Sequence, residues 1–158
     1  MAFTGSVVCN SFKTEVLTAI HDFTASTGDT FKLAMYTNSA TPTKSTTVYA
    51  APSDGTADPT STNEITSTGT NYTTGGNSLT SVTPALSSDT AVCDFSDTNW
   101  TSATITARGA IIYNSTATPD NEQAVCVLDF GGDKTCTAGT FTIQFPLPTD
   151  SLGIIRLA

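Results

Sequence analysis

Charge is what this chain lacks first. Charged residues make up 13% of its 158 positions, about half the share usual in globular proteins. Cations are scarcest: six Lys plus Arg stand against fourteen Asp plus Glu, a net charge of −8. Such a surface repels a phosphate backbone, which argues against nucleic acid as a direct partner. There is also no basic cluster to hold an anionic membrane surface. Long apolar runs are missing as well. The opening MAFTGSVVCNSFKTE carries no basic leader and no stretch long enough for a secretory signal or a membrane span. The expectation is a soluble protein made in the cytosol.

Paired cysteines and clustered histidines are absent too. The four cysteines, Cys9, Cys93, Cys126 and Cys136, form no CxxC pair, and the single histidine, His21, completes no zinc set at short ligand spacing. Cys93 in TAVCDF and Cys126 in AVCVLDF lie within apolar strand-like runs, where a free thiol packs as a small hydrophobe. Three sequons, NYT, NWT and NST, are a by-product of threonine richness in a chain without a secretory signal.

Threonine and serine fill the space left by charge. Threonine is β-branched and sits well on an exposed strand face, so the composition points to an all-β surface. One helix is expected first, over about 10–26 in NSFKTEVLTAIHDFTASTG. Phe12, Val16, Leu17, Ile20 and Phe23 form a stripe, Asn10 or Ser11 caps its start, Glu15 suits its first turn and Gly28 ends it. His21 flanks the stripe and reads as a half-exposed surface residue.

From residue 30 the period becomes two. TFKLAMYTN, SLTSVTPAL, TAVCDF, SATITARGAIIYNS, QAVCVLDF, GTFTIQFP and SLGIIRLA read as strands, and SDTNW, TATPDNE, GGDKTCTAG and LPTD as turns. The fold class expected is mainly all-β, an antiparallel β-sandwich or jelly roll with one short N-terminal α-helix. The domain spans 10–158 behind an N-terminal arm, 1–9. A polar insert, about 39–76, is longer than compact domains usually allow. Either TTVYA and NEITS form short edge strands within it, or it becomes ordered on a partner. NYTTGGNSLT ends it with a Gly-Gly turn signal.

Arg108, inside TITARGAIIYN, is one of few candidates for a reactive group. It falls on the wetter face of its strand beside Gly109, which admits a closely approaching segment. A bidentate carboxylate, Asp129 or Asp94, is its natural partner; a pair across a subunit boundary and a substrate contact are the other readings. Arg156 in IIRLA reads the same way. The apolar start of the chain, with Phe3, Val7 and Val8 as anchors, reads as an arm reaching another subunit. Truncation of 1–8 should then leave the domain folded.

No catalytic constellation emerges. Asp94 with Asp97 and Asp129 with Asp133 are ordinary strand-end carboxylates. PDNE at 119–122 is too short to be more than a weak cation site, and there is no calcium loop, phosphate loop or nucleophile elbow. No catalytic, cofactor-binding or metal residue is assigned, and an enzyme is not expected. Trp100 with Tyr72 or Tyr113 would supply a sugar-binding platform if exposed, although a lone tryptophan at a strand start more often plugs a core.

Three stretches together resemble virion structural proteins of tailed bacteriophages and prophages. They are FTGSVVCNSFKTEVLTAIHDFTASTGDTFKLAMYTNSA, TNEITSTGTNYTTGGNSLTSVTP, and DFSDTNWTSATITARGAIIYN through AVCVLDFGGDKTCTAGTFTIQFP to GIIRLA. The resemblance spares only the region around 40–60. It implies a non-enzymatic decoration or cement protein on the outer capsid surface, made in the host cytoplasm. Such proteins are β-rich and often trimeric, and sit against the major capsid protein where its subunits meet. It brings no active site and no cofactor. A tail, neck or fibre component, or a virion-exposed carbohydrate-binding module, is the alternative.

Overall fold

The computed structural model describes residues 3–49, 63–118 and 121–158. PDNE, too short to be more than a weak cation site, lies partly outside them. Among the described residues eight strands and one helix follow in the order β1 (Val7–Val8), α1 (Asn10–Leu17), β2 (Phe31–Tyr36), β3 (Asn77–Ser78), β4 (Ser81–Ser87), β5 (Thr90–Phe95), β6 (Thr98–Asn114), β7 (Gln123–Ile143) and β8 (Ile155–Leu157). They build two antiparallel sheets, β1-β7-β6-β2-β3 and β4-β5-β8. This is the all-β sandwich with one short helix that the composition and alternation predict. Ser96 and Asp97 alone join β5 to β6, so the chain changes sheet at a two-residue corner.

Register partners share a face, so Phe31, Leu33 and Met35 of β2 lie beside Asn114, Ile112 and Ala110 of β6. That face meets the smaller sheet through Phe31 and Phe95, with ring centroids 5.6 Å apart, and through Phe23, stacked on Phe31 at 4.2 Å. β6 records how the layers end. It alternates buried and exposed from Trp100 to Ala107, with a slip at Ser102, then is buried at every position from Gly109 to Asn114. There the second face is covered too, by Tyr49 stacked on Tyr113 at 4.3 Å and by Phe3 against Gly109.

Three expectations are corrected. The helix spans eight residues, not 10–26, and its N-cap is Cys9. It stops where the Thr18 hydroxyl turns back to the carbonyls of Thr14 and Glu15 and Ala19 takes φ 57; a hydroxyl bonded to the preceding turn competes with helix continuation. GGDKTCTAG is no turn but the middle of β7. Its alternation is matched across the ladder, with Thr106 and Thr135 hydroxyls 3.1 Å apart and Ile105 opposite Cys136, and such cross-strand pairs outweigh glycine's turn preference. Gly131 is absorbed as a positive-φ residue in the register shift between Ala107 and Gly109.

The third concerns the arm. Val7 and Val8 pair with Val127 and Cys126 as the edge strand of the larger sheet, and Phe3 is buried on Gly109. The segment that Gly109 admits is therefore the chain's own N-terminus. Apolar residues near an open sheet edge pack locally because that buries their surface without needing a partner. Phe3→Ala is expected to cost about 3 kcal/mol of stability in urea unfolding, and truncation of 1–8 at least as much, so neither change is silent for folding. In the insert, Val48 bridges to Gln123 and Glu64 to Tyr36, with Ala40, Tyr49, Ile65 and Tyr72 buried. Residues 50–62 lie outside the described set.

Candidate interaction surface

β7 is unevenly covered. Along one side β6 pairs with it from Asn114–Gln123 to Thr98–Ile143, while on the other side β1 reaches only Cys126 and Val127. From Gly131 to Ile143 that outer edge has no strand neighbour among the described residues. Register shifts on both sides of Ala103, with Ala138 at φ 47, bend the ribbon, as bulges do. Along this stretch lies a shallow, open hollow of about 510 Å³ lined by Phe130, Lys134, Cys136, Phe141 and Ile143 among threonines. Asp133 and Lys134 are exposed beside it.

Arg108 lies in β6, on the opposite side of β7 from this edge, at the register shift between Ala107 and Gly109. Its Nη1 pairs with Asp129 Oδ1, so of its two candidate partners the structure selects Asp129 within the chain. The two side chains are 17% and 11% exposed. Burial pushes the Asp129 carboxyl upward, but the Gly131 N–H, the Arg108 guanidinium and the Gly5 N–H outweigh it and hold it below its ordinary value. A carboxyl lowered in the folded state stabilises above the unfolded pKa and loses that contribution as pH falls through the folded one. Arg108→Met is expected to cost about 1.5 kcal/mol at pH 7. The gap between wild type and variant, read from urea midpoints, should close as pH drops below about 3.8. Arg156 lies on the other sheet, where it donates to the Asp150 carbonyl at 2.9 Å; the structure does not bring the two arginines together.

No family model, curated protein or solved structure matches this chain. Its chemistry is therefore read from its own groups. His21 is not the half-exposed surface residue expected: its side chain has no exposed area, Nε2 lies 2.9 Å from Glu15 Oε2 and Nδ1 3.0 Å from Asn114 Nδ2. Phe12 packs on the ring at 4.9 Å. The signal missed was Asn114, whose partners at Asp29 and His21 are 85 and 93 residues away in sequence. Burial pushes the thiols of Cys9 and Cys93 up to about 12, so both hold their protons and neither is a ready nucleophile. Among the described residues no three of His, Cys, Asp and Glu are placed to hold a metal ion.

Glu64 is the other group that sequence reasoning passed over. Its carboxylate is buried and accepts from Tyr49 Oη at 2.9 Å, Tyr72 Oη at 2.6 Å and Gly75 N–H at 2.7 Å. Tyr113 Oη donates to the Gly75 carbonyl at 2.8 Å, and Tyr72 Oη accepts the Met35 N–H at 2.9 Å. The knot ties the insert to β2 and β6 and has no open face, so it reads as architecture rather than as a site.

Proposed function

We propose that this protein is a non-enzymatic structural component of a tailed-phage particle, a decoration or cement protein on the outside of the head. It associates with itself, a trimer being favoured, and with the major capsid protein. The observation that carries the reading is the open outer edge of β7 with its hollow. Backbone donors and acceptors on such an edge are a template for a strand or loop of a neighbouring subunit. Lys134 and Asp133 make the edge polar, which discourages indiscriminate pairing and favours a partner of matching charge. The stretches that resemble virion proteins include DFSDTNWTSATITARGAIIYN and AVCVLDFGGDKTCTAGTFTIQFP, the β6–β7 ribbon that builds this edge.

A sugar-binding reading is less well supported. Trp100 is 4% exposed and packs against Tyr72 and Phe141, and Tyr72 and Tyr113 are buried as well, so the aromatic side chains that would make a platform are spent in the core. The test is light scattering on the purified protein, then mixing with undecorated heads of the same phage. A trimer bound in many copies per head is expected, with Lys134→Glu folded but at least about tenfold weaker, the loss of 1.4 kcal/mol of contact energy. A protein that ignores heads overturns the proposal and moves the assignment to tail or fibre.

A further inference from the structure

We propose that the cleft between α1 and the three-stranded sheet is a binding site for a small, uncharged apolar molecule, the size of one aromatic ring. The proposal stands apart from the particle reading. The cleft, open on one side, offers about 120 Å³ and is walled by Phe12, Val16, Phe23, Val92, Cys93 and Ile155. Its origin lies in the chain. The helix ends after about two turns at Leu17, and β4 carries Pro84 within the register shift between Val82 and Ala85, a break that proline's missing N–H favours. The lateral row Leu86–Ala91–Leu157 shares the inward face of Cys93 and Phe95 by alternation. Of this row Ala91 and Leu157 line the cleft, and Leu86 and Leu157 stay 73% and 59% exposed.

The walls decide the class of guest. His21 is the only wall side chain with ring nitrogens, and both are already engaged, one with Glu15 and one with Asn114. The Cys93 thiol is a weak donor held in its neutral form. The walls offer a water few of the two to four polar partners it needs, and the cleft is of the same order as the apolar cavity of about 150 Å³ that takes benzene. An apolar guest gains wall contacts that the empty cleft forgoes. A ring bearing a hydroxyl or a charge must give up its hydration with no partner in return.

Benzene is the probe. Added to the intact protein, it is expected to raise Tm saturably, because a ligand of the folded state alone stabilises it by mass action. Phenol at equal concentration should shift Tm less. Val16→Phe and Ala91→Leu, which fill the cleft from the helix and sheet sides, should abolish the benzene shift. Amide and methyl chemical-shift changes on benzene addition should converge on Val16, Val92 and Ile155 in the wild type, a readout that stands if either variant fails to fold. No shift in Tm, an equal shift in the filled variants, equal binding of phenol, or resonance changes scattered over the surface each overturns the assignment.

Discussion

Glu64→Ala is expected to lower the unfolding free energy by about 4 kcal/mol, read from urea midpoints at neutral pH. The carboxylate takes three donors at once: the hydroxyls of Tyr49 and Tyr72 and the N–H of Gly75. Truncation strands all three in a site where Tyr49 is 3% and Tyr72 2% exposed. A buried donor left without an acceptor costs about 1–3 kcal/mol, so the sum exceeds what any one bond would suggest. Glu64→Gln is the discriminating variant. Its Oε1 still serves Tyr72 and Gly75, and only Tyr49 must turn its hydroxyl to accept from the new Nε2. That change is expected to cost about 1 kcal/mol.

The pH dependence has a definite sign. Burial raises the Glu64 carboxyl above its ordinary value, while the donors from Tyr72, Gly75 and Tyr49 pull it only part of the way back. A carboxyl raised in the folded state stabilises below its unfolded value of 4.5, and that contribution is lost as pH climbs through the folded value. The advantage of wild type over Glu64→Gln should therefore be larger at pH 4 than at pH 7. A gap that stays constant or widens with pH would mean that the site holds the charged form without net cost.

The same cluster marks where the sequence could be read and where it could not. Short apolar runs bounded by turn residues placed β2, β5 and the centre of β6 nearly to the residue, because the run and its flanking turn signals are local even where both faces are buried. The Gly-Gly turn was legible for the same reason: the signal and the structure occupy the same residues. Glu64 was not. It looked like one acidic residue in a polar stretch, and what buries it is Tyr49, Tyr72 and Gly75, at sequence separations of 15, 8 and 11. The N-terminal segment failed in the opposite direction. Phe3, Val7 and Val8 were rightly seen as apolar, but whether they cover their own sheet or a neighbour's depends on β7 having an open edge at Cys126 and Val127. Within β7 itself, GGDKTCTAG carries turn residues by composition and strand residues by alternation, and pairing with β6 decided between them.

The glycine pair beside that cluster carries the second large effect. Gly75 and Gly76 have φ of +86 and +74, the left-handed region that costs any other residue about 1–2 kcal/mol. A Cβ on Gly75 would find the Tyr113 hydroxyl at 3.1 Å, the far end of a side chain with some room to give. A Cβ on Gly76 would land on the Leu33 carbonyl, backbone in the middle of β2. It cannot be accommodated without parting β3 from β2, and with it the Leu33–Asn77 pairing that anchors the turn. Gly76→Ala is thus expected to cost at least about 4 kcal/mol or prevent folding outright. Gly75→Ala should cost about 2 kcal/mol, mostly backbone strain. Urea unfolding of both variants, or the soluble yield if Gly76→Ala does not fold, checks the order. Equal losses would mean that the β2–β3 contact yields as easily as a tyrosine hydroxyl. Because Tyr113 also donates to Gly75 and Gly75 to Glu64, Gly76→Ala and Glu64→Ala should lose less together than the sum of their separate losses, as changes within one hydrogen-bonded unit do.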